Sequence, residues 1–192
     1  MGVRLPRSIV VKRDMTILTT IRRADVDDAP AIAAVQVASW HTTYAGIVAQ
    51  SYIDGLSVAE RTIAWERRMR GEAGVAPETV LVETAAGAVV GFASGGQLRA
   101  PHPGFDAELH AIYLLREAQG QGLGRRLTTE WARRAVARGF HAAIVRVLAA
   151  NPASLFYERL GARRVKEGRL VLGDQPYPEV WYGWDDLREL AA

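Results

Sequence analysis

An apolar run, Ile112-Tyr113-Leu114-Leu115, leads through Arg116-Glu117-Ala118 into a glycine-spaced turn, Gln119-Gly120-Gln121-Gly122-Leu123-Gly124, and then into Arg125-Arg126-Leu127. This order dictates a strand, a tight turn and a helix. Leu123, Leu127, Trp131 and Ala135 recur at helical spacing after the turn, with arginines on the other side. Backbone N–H groups at such a helix start point outward, and the aligned peptide dipoles favour negative charge there. Glycines 120, 122 and 124 remove side chains that would hold a phosphate away from the backbone. The segment reads as an anion cradle for a nucleotide-like cofactor.

Two common cradles fit badly. A P-loop closes its glycine run with Lys and Ser/Thr, where this chain has Arg125 and Arg126. A dinucleotide-binding turn needs G-x-G-x-x-G and an acidic residue about 20 positions on. Here the third glycine would fall at Arg125, and the later stretch is Phe140-His141-Ala142-Ala143-Ile144.

Composition narrows the rest. There is no cysteine, which excludes disulfides and thiolate chemistry, and the 4 histidines (His41, His102, His110, His141) lack metal-ligand spacing. No metal site is expected. Of the 24 basic residues only Lys12 and Lys166 are lysines, and the net charge is only +3. Arginine pairs at 67–68, 125–126, 133–134 and 163–164 are spread over several elements, so they read as solvated helix faces rather than a nucleic-acid surface. No apolar run reaches membrane-spanning length, and no signal peptide is evident, so a cytoplasmic protein without membrane attachment is expected.

Residues 1–15 read as a loose N-terminal extension, and residues 16–192 as one domain. Strand and helix signals alternate in the order β-α-α-β-β-β-α-β-α-β-β, an α+β chain with one βαβ unit carrying the glycine turn. Ser57 with Glu60 marks a helix start, and Gly139 a helix end.

The spacing Gln119-x-x-Gly122-x-Gly124 resembles the Q/R-x-x-G-x-G/A signature of the GNAT superfamily of acetyl-CoA-dependent N-acyltransferases. Downstream, Asn151-Pro152-Ala153-Ser154-Leu155-Phe156-Tyr157-Glu158-Arg159-Leu160-Gly161 is similar to its second signature, N-x-x-A-x-x-x-Y-E-x-x-G, with Asn151 one residue closer to the tyrosine. The resemblance covers Thr16 to the C-terminus. It implies a mixed, mostly antiparallel sheet of about seven strands flanked by about four helices. It also implies acetyl-CoA as co-substrate, held by Ile112, Tyr113 and Leu114 at the strand end and by the turn residues Gln119, Gly120, Gln121, Gly122, Leu123, Gly124, Arg125 and Arg126. Asn151 and Phe156 would complete that site.

The implied reaction moves an acetyl group from acetyl-CoA to a primary amine, which must first lose a proton. Glu108 stands at the strand position where many family members carry a general base, and the two-residue strand period puts His110 on the same face as a second candidate. Glu83 is a reserve base on a neighbouring strand. Tyr157 matches the family tyrosine that can protonate the leaving thiolate, although helical spacing alone would place it in the core. Trp40, His41 and Tyr44 read equally as packing or as the wall of an acceptor pocket; Trp40-x-x-x-Tyr44-x-Gly46 and Tyr182-Gly183-Trp184-Asp185-Asp186-Leu187 resemble a bacterial small-molecule subgroup. The expected partner is therefore a small-molecule amine, and the resemblance allows a homodimer. A peptide or protein N-acetyltransferase and a non-catalytic acyl-CoA-binding module are the alternatives.

Overall fold

The computed structural model describes residues 18–72 and 74–192. The extension expected over 1–15 lies outside the described residues. Along the chain run β1 (Thr19–Arg23), α1 (Ala29–Thr43), α2 (Gln50–Asp54), α3 (Val58–Met69), β2 (Glu78–Thr84), β3 (Val89–Gln97), β4 (Ala107–Leu114), α4 (Leu123–Ala137), β5 (Ala143–Leu148), α5 (Ser154–Arg159), β6 (Arg163–Leu172), β7 (Gln175–Trp184) and α6 (Leu187–Ala191). The strands form one 7-stranded sheet in the order β1-β2-β3-β4-β5-β7-β6. All pairings are antiparallel except β4 with β5. The α+β reading of the sequence holds, but there are two helices more than expected. These are α2 and α6, at 5 residues each too short to show helical periodicity.

Local signals explain the element ends. Ser57 accepts a hydrogen bond from the Glu60 N–H at the start of α3. Asp28 ties the entrance of α1 to β1 through two 2.7 Å bonds from Arg22. The apolar stripe of α4 lies against one face of the sheet, with Leu123, Leu127, Trp131 and Ala135 at most 4% exposed, among Val80, Val82, Ala93, Ala107 and Leu109. α1 and α3 cover the opposite face, where Ile32, Ala33, Val35 and Trp65 meet Leu81 and Phe92. Burying each large apolar side chain stabilises the fold by about 1.5–3 kcal/mol, so these two faces anchor the sheet.

Two irregularities shape the region around β4. The β3–β4 register steps from Ser94↔Ala111 to Gly95↔Leu109, leaving His110 as the extra residue of a β-bulge. A bulge resets the alternation of side chains. Ala107, Leu109, Ile112 and Leu114 all join the cluster on the α4 side, while Ala111 and Tyr113 join the one under α1 and α3. The regular strand period that would have put Glu108, His110 and Ile112 on one face is therefore broken. The second irregularity is that β4 pairs with β5 only from Ala107↔Ala143 to Leu109↔Val145. Beyond the bulge the two strands separate.

Candidate active site

The gap between β4 and β5 opens into a cavity of about 590 Å³. Ile112 and Leu114 line it from β4, Val145 and Val147 from β5, and Gly120, Gly122, Gly124 and Arg125 from the turn before α4. Asn151, Phe156 and Tyr157 complete the wall. With β5 gone, the β4 backbone groups on that edge have no strand partner; the Leu114 carbonyl accepts from Gln119 and Ser39 instead, and the other groups are left for a ligand's amides. Gly120 and Gly122 have φ of 73° and 75°, the left-handed region that glycine adopts without strain, and Gly122 is the N-cap of α4. Gly124 is required by crowding instead: a Cβ there would stand 3.2 Å from the Phe156 ring.

The turn's side chains divide their work. Gln119 donates to the Leu114 carbonyl at 3.0 Å, and Gln121 to the Glu117 carbonyl at 2.8 Å, so both brace the turn. Leu123 is buried in the core and does not line the cavity. Arg125 borders the cavity, whereas Arg126 reaches the Thr19 hydroxyl at 3.0 Å on β1.

A second cavity of about 550 Å³ lies under α1 and α3, walled by Trp40, Tyr52, Trp65 and Tyr113. Tyr44, His110, Ala111, Tyr113 and Arg146 line both cavities and form the junction between them. The Trp40 indole donates to the Tyr113 hydroxyl at 3.0 Å and packs on the Tyr44 ring at 4.4 Å. Asn151 donates to the Tyr44 hydroxyl at 3.2 Å and accepts from the Ala153 N–H at 2.9 Å, so its amide is occupied in bracing Tyr44. His41 is exposed and lines neither cavity.

The titratable groups differ sharply in setting. Glu108 is 1% exposed and borders neither cavity. It accepts from the Arg99 backbone N–H at 3.1 Å and is gripped by the Arg99 guanidinium. Burial alone would raise its carboxyl, but Arg99 outweighs burial and holds it below the usual carboxylate range. At His110, burial pushes the imidazole below its ordinary value, against the opposing pull of the Gln97 carbonyl and Glu108. Its Nε2 lies 2.9 Å from the Gln97 carbonyl oxygen. A carbonyl only accepts, so Nε2 carries the hydrogen and Nδ1 keeps a lone pair. Burial, reinforced by Tyr113, raises the Tyr157 phenol. Glu83 on β2 is paired with Arg22 at 3.1 Å and lines neither cavity.

Arg61, Arg68, Arg99, Arg146 and Glu179 line the second cavity but were not singled out by the sequence. Arg61, Trp65 and Arg68 have the spacing of one helix face, a signal that was present but indistinguishable from solvated arginines.

A glycine turn at a helix start, bordering one cavity that meets a second at a histidine and two tyrosines, suits an enzyme that passes a group from an anionic donor to a separate acceptor. Residues 38–162 match the acetyltransferase (GNAT) family model. The chain is 37% identical over 174 residues to the uncharacterized N-acetyltransferase YuaI of Bacillus subtilis, covering 90% of this chain and 96% of that one. It is 32% identical over 171 residues to the L-methionine sulfoximine/L-methionine sulfone acetyltransferase of Pseudomonas aeruginosa, covering 88% and 90%. The yncA structure from Salmonella typhimurium, solved with its cofactor acetyl-CoA, superposes with a TM-score of 0.62 at 24% identity over 91% of this chain and 96% of that one. The chain belongs to the GNAT acetyltransferase family, and the yncA neighbour of the same fold holds acetyl-CoA as its cofactor. The left-handed glycines at the start of α4, the unpaired β4 edge and Arg125 fit that donor.

Proposed function

We propose that this acetyltransferase acts on a primary amine of a small molecule, with His110 as proton acceptor and Tyr157 as proton donor. The observation that carries the reading is the junction: an amine in the cavity under α1 and α3 meets the cofactor cavity beside His110, Tyr44 and Tyr113. A cavity of about 550 Å³ suits a small ligand. The Pseudomonas relative, whose named substrates are small molecules, supports the same class.

Acetyl-CoA supplies the activated acyl carbon. The chain's own residues must deprotonate the amine, steady the developing negative charge and return a proton to sulfur. His110, lowered by burial, is neutral at neutral pH, and its free Nδ1 lone pair can take the amine's proton. Glu108, locked as an anion by Arg99, then favours the imidazolium electrostatically rather than accepting the proton itself. This exchanges the roles that strand position suggested for Glu108 and His110. Backbone N–H groups at Ile112 and Leu114, on the edge that β5 vacates, are the candidates for polarising the carbonyl. Tyr157 is held protonated and lines the cofactor cavity, which suits a proton donor.

The test of the reading is thiol release from acetyl-CoA across a panel of small amines and short peptides; the absence of cysteine means the protein adds no thiol of its own. Release dependent on small amines is expected, and release with peptides alone would overturn it. Tyr157→Phe is expected to lower kcat by about 10²-fold while calorimetry shows acetyl-CoA affinity within about twofold of wild type. Gly124→Asp, which must place a charged side chain where a Cβ already meets Phe156 at 3.2 Å, is expected to abolish calorimetric binding of acetyl-CoA.

A further inference from the structure

The cavity under α1 and α3 holds more positive charge than the described residues neutralise. Arg61, Arg68, Arg99 and Arg146 all line it. Arg99 is paired with Glu108, and Arg146 with Glu179 at 3.4 Å. Arg61 and Arg68 have no carboxylate partner among the described residues. Their helix neighbours differ: Arg67 pairs with Glu72 at 3.2 Å and Arg70 with Glu66 at 3.5 Å, and neither borders the cavity. On α3, the arginines away from the cavity are compensated and those facing it are not.

The two unpaired cations are also organised. Arg61, Trp65 and Arg68 share one face of α3, and the Arg68 guanidinium sits 4.9 Å from the centre of the Trp65 ring, which restrains its plane. Arg68 is exposed toward the cavity, yet partial desolvation by the surrounding walls, and then the charges of Arg99 and Arg61, hold its guanidinium below its ordinary value. Like charges converging on one cavity destabilise one another until an anion enters between them. A guanidinium fork matches the two oxygens of a carboxylate better than it matches a point charge.

We propose that the acceptor carries a carboxylate besides its amine, and that Arg61 and Arg68 hold this carboxylate while the amine lies at His110. The acceptor is thus an amino acid-like zwitterion, with apolar parts against Trp40, Tyr52 and Trp65. This deepens the small-molecule reading and rests on it.

Matched acceptors test it: leucine, methionine and phenylalanine, each against its carboxamide. The amide changes the basicity of the amine as well as removing the charge. The quantity to compare is therefore the acid-to-amide ratio of kcat/KM in wild type and in variants, in which intrinsic amine reactivity cancels. Arg68→Gln and Arg61→Gln are each expected to lower that ratio by roughly 10- to 100-fold, the range for a charge-assisted hydrogen bond. Arg67→Gln on the same helix should leave it unaltered. An unaltered ratio in both cavity variants overturns the proposal. If no member of the panel is acetylated, the N-acetyl acids and N-acetyl amides are titrated calorimetrically into the CoA-loaded protein. Tighter binding of the acids, weakened by Arg68→Gln, supports the carboxylate site and counts against the transfer reading alone. Equal binding of the two, or none, overturns the site.

Discussion

Replacing His110 by alanine is expected to lower kcat/KM for the amine by about 10²- to 10⁴-fold, the range that positioned general-base catalysis supplies, with acetyl-CoA affinity little altered. The wild-type pH profile should locate the group. The histidine works when neutral, so kcat/KM should fall as pH drops through its pKa, and that limb should lie below the ordinary 6.5 because burial lowers the value. His110→Ala should remove the limb. Glu108→Gln separates the two candidate bases. If Glu108 were the base, the glutamine variant would lose the limb altogether. With His110 as the base the limb persists but moves to lower pH, because the carboxylate opposing the depression is gone and the Arg99 cation remains.

The segment from Ile112 to Leu127 was legible because each constraint on it is local. A glycine at positive φ and a helix stripe at fixed spacing leave marks within a few residues, and the structure has them at Gly120, Gly122, Leu127 and Trp131. The tertiary features left weaker marks. Gly95-Gly96 within β3 hints at a bulge, yet nothing in the sequence says that the extra residue falls on the partner strand at His110. Without that step Glu108 and His110 look equivalent. With it, one is sealed beneath Arg99 and the other stands between two cavities. The charge of the second cavity was hidden for a related reason. Arg61 and Arg67 are alike in sequence, and only the packing of α3 makes one a cavity wall and the other a surface ion pair. α2 and α6 were missed because 5 residues cannot display a 3.6-residue period.

Gly95→Ala is expected to be the costliest added methyl at any of the described glycines. A Cβ at this position would lie 2.4 Å from the Glu108 carbonyl oxygen and 2.7 Å from the Trp131 ring, far inside van der Waals contact. Neither neighbour can easily retreat. The carbonyl belongs to the central strand β4, and Trp131 is 0% exposed in the middle of the α4 stripe. Overpacking of this kind costs about 3 kcal/mol, which for a chain of this size lowers Tm by roughly 6–12 °C. Gly96→Ala is the control: its Cβ would meet only the Pro77 Cα at 3.5 Å, an ordinary contact, and Tm should move by no more than about 2 °C. Equal shifts for the two variants would mean that α4 can lift from the sheet without cost. The activity of Gly95→Ala, measured well below its Tm, carries separate information. Gly95 stands opposite Leu109 at the register step that expels His110 from the ladder, so relief of the clash must displace the strand holding the proposed base. A fall in kcat beyond the loss of folded protein therefore tests whether the bulge, and not merely the presence of a histidine, makes the site.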